Sequence, residues 1–151
     1  MTADVETEMV ESIFLVDDEN LFHLVFEDAC SLLNISLALE CVDSSDEASR
    51  RFKEMYEMNK RRPECVFVDL NMVGSSFDGI ELVRKINFEY GNHVVIGIIS
   101  SSNEAEEQEK AKQAGAQFWI IKSDEIEPRL EEFKKDYLGY KNKTAPFKVY
   151  K

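Results

Sequence analysis

Four apolar runs in the sequence each end on a polar side chain that could take part in chemistry. The polar residues are Asp17 with Asp18, Asp69, Ser100 and Lys122. Three carboxylates in one crevice would raise each other's pKa values unless a cation lay between them. Mg²⁺ suits such a place because it takes oxygen ligands, often one or two carboxylates and a phosphoryl oxygen. Lys122 adds a compact positive charge and Ser100 a hydroxyl, both suited to an oxyanion. The set indicates a phosphoryl site with Asp69 as the nucleophile.

The runs that precede these residues have the length and composition of buried strands. They are residues 12–16, 65–68, 94–99 and 117–121, and the run 37–42 is predicted to be an edge strand because Glu40 interrupts it. Unbroken apolar runs are typical of parallel sheets covered on both faces. The carboxyl ends of parallel strands lie at one edge of the sheet, where ligands bind. We therefore expect the polar residues to meet at that edge.

Segments with apolar residues at helical spacing lie between and after the strands. Ser44 and Asp78 are predicted helix N-caps, and Ser101 with Glu104 has the spacing of a capping box. The helix that follows, ending at 114, offers only small residues inward and should be weakly anchored. Gly139 is predicted to end the last helix. The alternation predicts an α/β fold, a doubly wound five-stranded parallel sheet with five helices and right-handed crossovers.

Length and charge restrict the kinds of protein that this chain can be. Its 151 residues are enough for one domain with a sizeable core. A net charge of -12 repels nucleic acids and anionic membranes. No secretory signal or membrane-spanning run is evident, so we expect a cytoplasmic protein. The predicted division is an acidic lead-in (1–11), one domain (12–138) and a basic, aromatic tail (139–151).

Residues 12–138 resemble the receiver domain of two-component response regulators, in particular the stand-alone, chemotaxis-type regulators. The resemblance is carried by the acidic pair Asp17-Asp18, the acceptor Asp69, the hydroxyl of Ser100, the turn 114–116 and Lys122. It implies that a histidine kinase or histidine phosphotransfer protein donates a phosphoryl group to Asp69 in a Mg²⁺-dependent reaction. The protein would be a signalling switch rather than an enzyme with a substrate.

The resemblance also implies how the metal ion would be bound. Asp18 and Asp69 would bind Mg²⁺ directly, Asp17 would bind it through water, and Asn71 would contribute its backbone carbonyl. These assignments follow from the family's motif and not from the spacing alone.

The remaining roles concern the phosphoryl group and the output. By the resemblance, Lys122 would pair with a phosphoryl oxygen, Ser100 would move towards the acyl phosphate, and Trp119 would follow as the switch residue. The output would be binding to a downstream protein target, and a phosphorylation-dependent dimer is compatible with this arrangement.

Two departures from the family keep other functions open. Val73 and Ser123 stand where the family usually has proline. The Lys122–Ser123 bond should therefore be trans, or the loop rebuilt, because a cis bond without proline costs about 3 kcal/mol. A pseudo-receiver that binds partners without phosphorylation is one alternative. A phosphohydrolase of the haloacid dehalogenase type is another, although residues 17–20 do not provide the DxD motif that it requires.

Overall fold

The computed structural model describes residues 10–58, 62–72, 78–91, 93–123 and 125–151. Most of the predicted acidic lead-in lies outside these residues. Val73, one of the two departures from the family pattern, also lies outside them. Within the part of the chain that is described, no helix is long and apolar enough to cross a membrane.

A parallel sheet forms the centre of the molecule, and its strands appear in the predicted order. In chain order they are β1 (Val10–Val16), β2 (Ser36–Val42), β3 (Cys65–Asp69), β4 (Val95–Ser100), β5 (Phe118–Ile121) and β6 (Lys148–Tyr150). Across the sheet the order is β2-β1-β3-β4-β5-β6, and every neighbouring pair is parallel. The predicted doubly wound parallel fold is confirmed, and β2 is an edge strand as expected. The sixth strand was not predicted.

In the described part of the chain, five helices connect the strands, as the sequence predicts. They are α1 (Asn20–Leu33), α2 (Ser45–Glu57), α3 (Gly79–Tyr90), α4 (Ala105–Ala114) and α5 (Glu127–Lys141). The predicted caps of α2 and α3 are confirmed, because Ser44 and Asp78 each accept a hydrogen bond from the backbone N–H three residues on. The predicted end of the last helix is wrong. α5 runs through Gly139 and places the ring of Tyr140 in the core.

Two apolar layers cover the two faces of the sheet, because successive strand side chains point to opposite faces. One layer packs α1 and α5 on the sheet around Phe67, whose ring lies 5.0 Å from Phe26 and 5.3 Å from Phe133, centroid to centroid. The other layer packs α2, α3 and α4. Of the residues of α4, only Ala111 and Ala114 are buried. The prediction that α4 turns only small residues inward is therefore confirmed.

The last residues of the chain are part of the core. Tyr150 is 1% exposed, and its hydroxyl donates to Asp136 Oδ2 at 2.7 Å and lies 2.8 Å from the hydroxyl of Tyr140. Lys148 Nζ forms ion pairs with Glu132 at 3.0 Å and with Asp136 at 3.1 Å. These contacts fix β6 against α5, so the segment predicted as a basic, aromatic tail completes the sheet beside β5.

This arrangement predicts a graded loss of stability at Tyr150. We expect Tyr150→Phe to lower the free energy of unfolding by about 1 kcal/mol, because the buried hydroxyl of Tyr140 and the half-buried carboxylate of Asp136 each lose a hydrogen-bond partner. Tyr150→Ala should lower it by about 3 kcal/mol, since the ring leaves a cavity. Urea denaturation measures both values, with Lys151→Ala as the exposed control. Equal stability of Tyr150→Ala and wild type would contradict the packing of β6.

Candidate functional site

Three carboxylates lie close together at the point where the connections after two neighbouring strands run in opposite directions across the sheet. Asp17 follows β1, Asp69 is the last residue of β3, and these two strands are neighbours in the sheet. Each of Asp17, Asp18 and Asp69 offers a carboxylate oxygen within 4.8 Å of the others. The chain leaves β1 towards β2 on one side and β3 towards β4 on the other, which opens a crevice at the carboxyl ends of β1 and β3. The predicted clustering of these residues is confirmed.

The electrostatic environment of this cluster favours a cation. Asp17 is fully buried and Asp69 is 7% exposed. Burial and the negative charge of Asp17 raise the pKa of Asp69 to about 7, against the opposing effect of Lys122. A carboxyl group with such a pKa is ionised more readily when a positive ion lies beside it. The three carboxylates therefore fit a hard divalent cation with oxygen ligands, such as Mg²⁺.

Lys122 lies at the same edge, and its ammonium group is surrounded by charge. Its side chain is 12% exposed, and Nζ lies 2.8 Å from Oδ2 of Asp17 and forms a second ion pair with Glu19. Nζ also lies 4.7 Å from the centroid of the Phe22 ring. Burial lowers the pKa of Lys122, but the hydrogen bonds to Asp17 and Glu19 outweigh it and raise the pKa above its ordinary value. Lys122 is therefore a firmly held cation.

Ser100 is the last residue of β4 and lies at the same edge of the sheet. One loop residue links it to Trp119, the predicted switch residue. Ser100 is 3% exposed, and its hydroxyl accepts a hydrogen bond from the backbone N–H of Ser102 at 3.1 Å. The carbonyl of Ser102 accepts from Nε1 of Trp119 at 3.0 Å, and Trp119 is fully buried. A movement of Ser100 would therefore disturb a hydrogen bond that leads to the side chain of Trp119.

The start of α4 differs from the predicted capping box. The helix begins at Ala105 and its N-cap residue, Glu104, makes no side-chain cap hydrogen bond. Ser101 is exposed, and Ser102 takes the place predicted for it. Its hydroxyl donates to the Glu107 carboxylate at 2.6 Å and accepts from the Glu104 N–H at 3.3 Å. Only the conformation of the loop decides which serine reaches the helix, because both lie within reach along the chain.

The first turn of α1 contributes contacts that the sequence patterns did not identify. Glu19 and Phe22 both contact the ammonium group of Lys122. A ring nitrogen of His23 lies 2.5 Å from the backbone oxygen of Asp17. The one available signal was the acidic run 17–19, which placed a third carboxylate at the end of β1. The pairing partner of that carboxylate, more than a hundred residues away, left no pattern in the sequence.

Two further expectations concern the loops around the site. Asn71 lies two residues after Asp69 and is exposed, and its role as a backbone ligand stays a prediction. The Lys122–Ser123 peptide bond is trans, which agrees with the first of the two alternatives that Ser123 suggested.

Comparisons with known proteins agree with this architecture. A family model described as the response regulator receiver domain matches residues 13–131. The chain is similar to the phosphorylated cyanobacterial phytochrome response regulator RcpA, with a TM-score of 0.69 and 20% identity over 90% of this chain and 96% of that one. It is also similar to response regulator RPA3017 in red light signaling of R. palustris, with a TM-score of 0.72 and 20% identity over 90% of this chain and 96% of that one.

A third similar structure is the Mn²⁺-bound form of response regulator Rcp1. Its TM-score is 0.62, and it is 17% identical over 85% of this chain and 92% of that one. The comparison with curated proteins finds no match. At these identities the solved structures show the fold alone.

The electrostatics of the cluster predict how pH affects the metal-free protein. The pKa of Asp69 is about 7 in the fold and 3.8 in the unfolded chain. The folded state therefore binds the proton more tightly, and the free energy of unfolding should fall as pH rises from about 4 to about 7. Asp69→Asn should remove this decrease and be up to about 4 kcal/mol more stable than wild type at pH 8 in EDTA, since one pKa unit corresponds to about 1.4 kcal/mol. Urea denaturation across pH measures the effect.

The matched control is Asp28→Asn, which makes the same charge change on an exposed position of α1. Mg²⁺ should raise the melting temperature of wild type and of this control more than that of Asp69→Asn. Equal stabilisation of all three proteins by Mg²⁺ would contradict a cation site at this cluster.

Proposed function

Because the chain belongs to the family of response regulator receiver domains, we propose that Asp69 accepts a phosphoryl group from a phosphohistidine on a partner kinase or phosphotransfer protein. A carboxylate oxygen of Asp69 forms a bond to phosphorus, the nitrogen–phosphorus bond breaks, and the histidine nitrogen keeps the electron pair. Water later attacks the phosphorus, which releases inorganic phosphate and restores the carboxylate. The observation that carries the proposal is the position of Asp69, which is nearly buried between two other carboxylates at the crevice.

The donor set supports Mg²⁺ as the cofactor of this transfer. Asp17, Asp18 and Asp69 would hold it, and Asn71 would contribute its backbone carbonyl. Their oxygens are close enough to share one ion, and burial beside Asp17 makes the ionised form of Asp69 costly without one. When bound, the ion would offset the negative charge of the carboxylates and of the incoming phosphoryl group. The similar response regulator Rcp1 has a Mn²⁺-bound form, and Mn²⁺ is an ion that takes similar oxygen ligands.

Lys122 and Ser100 are suited to hold the transferred group. The ammonium group of Lys122 lies at the crevice, and the Ser100 hydroxyl stands at the end of β4, one residue beyond the position that pairs with Asp69. When the hydroxyl of Ser100 turns to the acyl phosphate, Ser102 N–H loses its acceptor. The hydrogen bond between Ser102 and Trp119 then carries the change to β5. Trp119 is the switch residue in this proposal.

The proposed output is a change in protein binding rather than turnover of a substrate. Phosphorylation adds between one and two negative charges to a nearly buried position and rearranges the loop between β4 and α4. α4 is the helix best able to move, because only two alanines anchor it. A downstream protein would read this surface, and a second phosphorylated copy is a candidate for the same surface.

One observation favours a pseudo-receiver as the second candidate function. Within the described part of the chain, Lys122 forms ion pairs with Asp17 and Glu19 of the same molecule, so the ammonium group proposed for a phosphoryl oxygen already has partners. A protein that uses this fold only as a binding module could keep such a closed arrangement. The acceptor carboxylate and its neighbours argue for the first candidate.

Phosphorylation by a small donor tests the proposed function directly. After incubation with acetyl phosphate and Mg²⁺, we expect the intact mass to increase by one phosphoryl group in a base-labile form. EDTA should prevent the increase, and so should Asp69→Asn. The control Asp28→Asn should be modified like wild type. An adduct that survives in Asp69→Asn would place the acceptor elsewhere, and a folded protein that gains no adduct would favour the pseudo-receiver.

The proposed switch predicts a signal from the single tryptophan. Beryllofluoride with Mg²⁺ should change the fluorescence of Trp119, because the hydrogen bond from its indole to Ser102 is disturbed. Ser100→Ala should still bind beryllofluoride but give a smaller change in fluorescence. A full change in Ser100→Ala would show that Ser100 does not transmit the signal.

A further inference from the structure

Among the described residues, the ammonium group of Lys122 has two carboxylate partners, and they differ in how easily they can exchange the ion pair for water. Its partner Asp17 is fully buried, and a buried carboxylate that loses its counter-ion cannot turn to water. Its partner Glu19 has a side chain that is 62% exposed, so its carboxylate can exchange the ion pair for water at little cost. A phosphoryl oxygen that binds Lys122 would therefore displace Glu19 and leave the pair with Asp17 in place.

We propose that Glu19 is a positioning residue that competes with phosphoryl groups for Lys122 and so lowers the affinity of the site for them. This inference rests on the proposed function, in which Lys122 binds a phosphoryl oxygen. The inference gives one further residue of this chain an effect on the affinity of the site for phosphoryl groups. The ion pair between Glu19 and Lys122 keeps the ammonium group over the ring of Phe22 until a phosphoryl group replaces the carboxylate.

The position of Glu19 supports a role at the entrance of the site. Glu19 and Lys122 line the same groove of about 430 Å³, together with Leu21, Phe22, Val25, Ser101 and Ser123. A donor that approaches through this groove meets the carboxylate of Glu19 beside the lysine. Glu19 also contributes to the raised pKa of Asp69, so its charge is felt at the acceptor. The negative charge of Glu19 thus repels a phosphoryl group and attracts a metal cation at the same place.

The fold does not depend on the side chain of Glu19. Its backbone N–H donates to Oδ1 of Asp17 at 2.8 Å, and this contact is independent of the side chain. Glu19 is the N-cap residue of α1, but its side chain makes no cap hydrogen bond. Glu19→Gln should therefore fold like wild type and change only the charge beside Lys122.

Removal of this charge should have opposite effects on the two kinds of ion. With Mg²⁺ present, Glu19→Gln should bind beryllofluoride about 2- to 5-fold more tightly, the range expected for the loss of one exposed ion pair. Mg²⁺ alone should bind more weakly to the variant, because one negative charge has gone and Lys122 is freer to approach the carboxylates. Isothermal titration with beryllofluoride and with magnesium chloride measures both affinities. The difference in beryllofluoride affinity should shrink at high salt.

Kinetics with acetyl phosphate separate competition from a structural effect. Glu19→Gln should lower the KM for acetyl phosphate and leave the maximal rate of phosphorylation nearly unchanged. Glu19→Asp keeps the charge and should return the affinity for beryllofluoride towards that of wild type. The matched control Glu27→Gln removes one carboxylate about 12 Å further along α1, beyond the usual screening length. It should leave both affinities unchanged.

The outcomes distinguish this inference from the proposed function. If wild type binds no beryllofluoride with Mg²⁺, the proposed function fails. If wild type binds beryllofluoride and Glu19→Gln binds it with equal or lower affinity, the proposal that Glu19 competes for Lys122 is wrong. The proposed function then still stands. Tighter binding of beryllofluoride together with weaker binding of Mg²⁺ supports the role given to Glu19.

Discussion

The repulsion between three carboxylates at one end of the sheet is the constraint on which the rest of the site depends. Asp17 and Asp69 are nearly or fully buried, so water cannot screen their charges. Lys122 offsets part of this charge through its pair with Asp17, and burial together with the charge of Asp17 still raises the pKa of Asp69. The fold thus keeps Asp69 in a place where a divalent cation would favour its ionised form.

The site lies on well-buried strands of the sheet, whereas the helix α4 is held by few buried side chains. β1 and β3 lie in the middle of the sheet with helices packed on both faces. α4 has only two buried alanines, and its first turn is tied to the loop that bears Ser102. Trp119 joins these parts, because its indole bonds to the carbonyl of Ser102 while its backbone pairs with β4 and β6. A change at Ser100 would therefore reach Trp119 through Ser102.

Competition for one ammonium group connects the two candidate functions. Lys122 binds Asp17 and Glu19 inside the protein, and a phosphoryl group would need the place of one of them. If the exposed partner leaves easily, the protein is a switch with a moderated affinity for phosphoryl groups. If it does not leave, the same fold is a closed binding module. The fold is common to both candidates, and the exchange of Glu19 for a phosphoryl oxygen at Lys122 is one point on which they differ.

The sequence by itself determined the doubly wound parallel fold, apart from its sixth strand, and the edge of the sheet at which the carboxylates lie. Unbroken apolar runs identify buried parallel strands, and the carboxyl ends of such strands lie at one edge, so Asp17 and Asp69 were expected at the same edge. The pairing of β1 with β3 brings them together. Only the tertiary structure decided the place of the last residues, because a three-residue strand with lysine and tyrosine has no apolar pattern until β5 and α5 enclose it. It also decided the pairing of Glu19 with Lys122, since contacts between distant residues depend on how the chain folds and leave no periodicity to read.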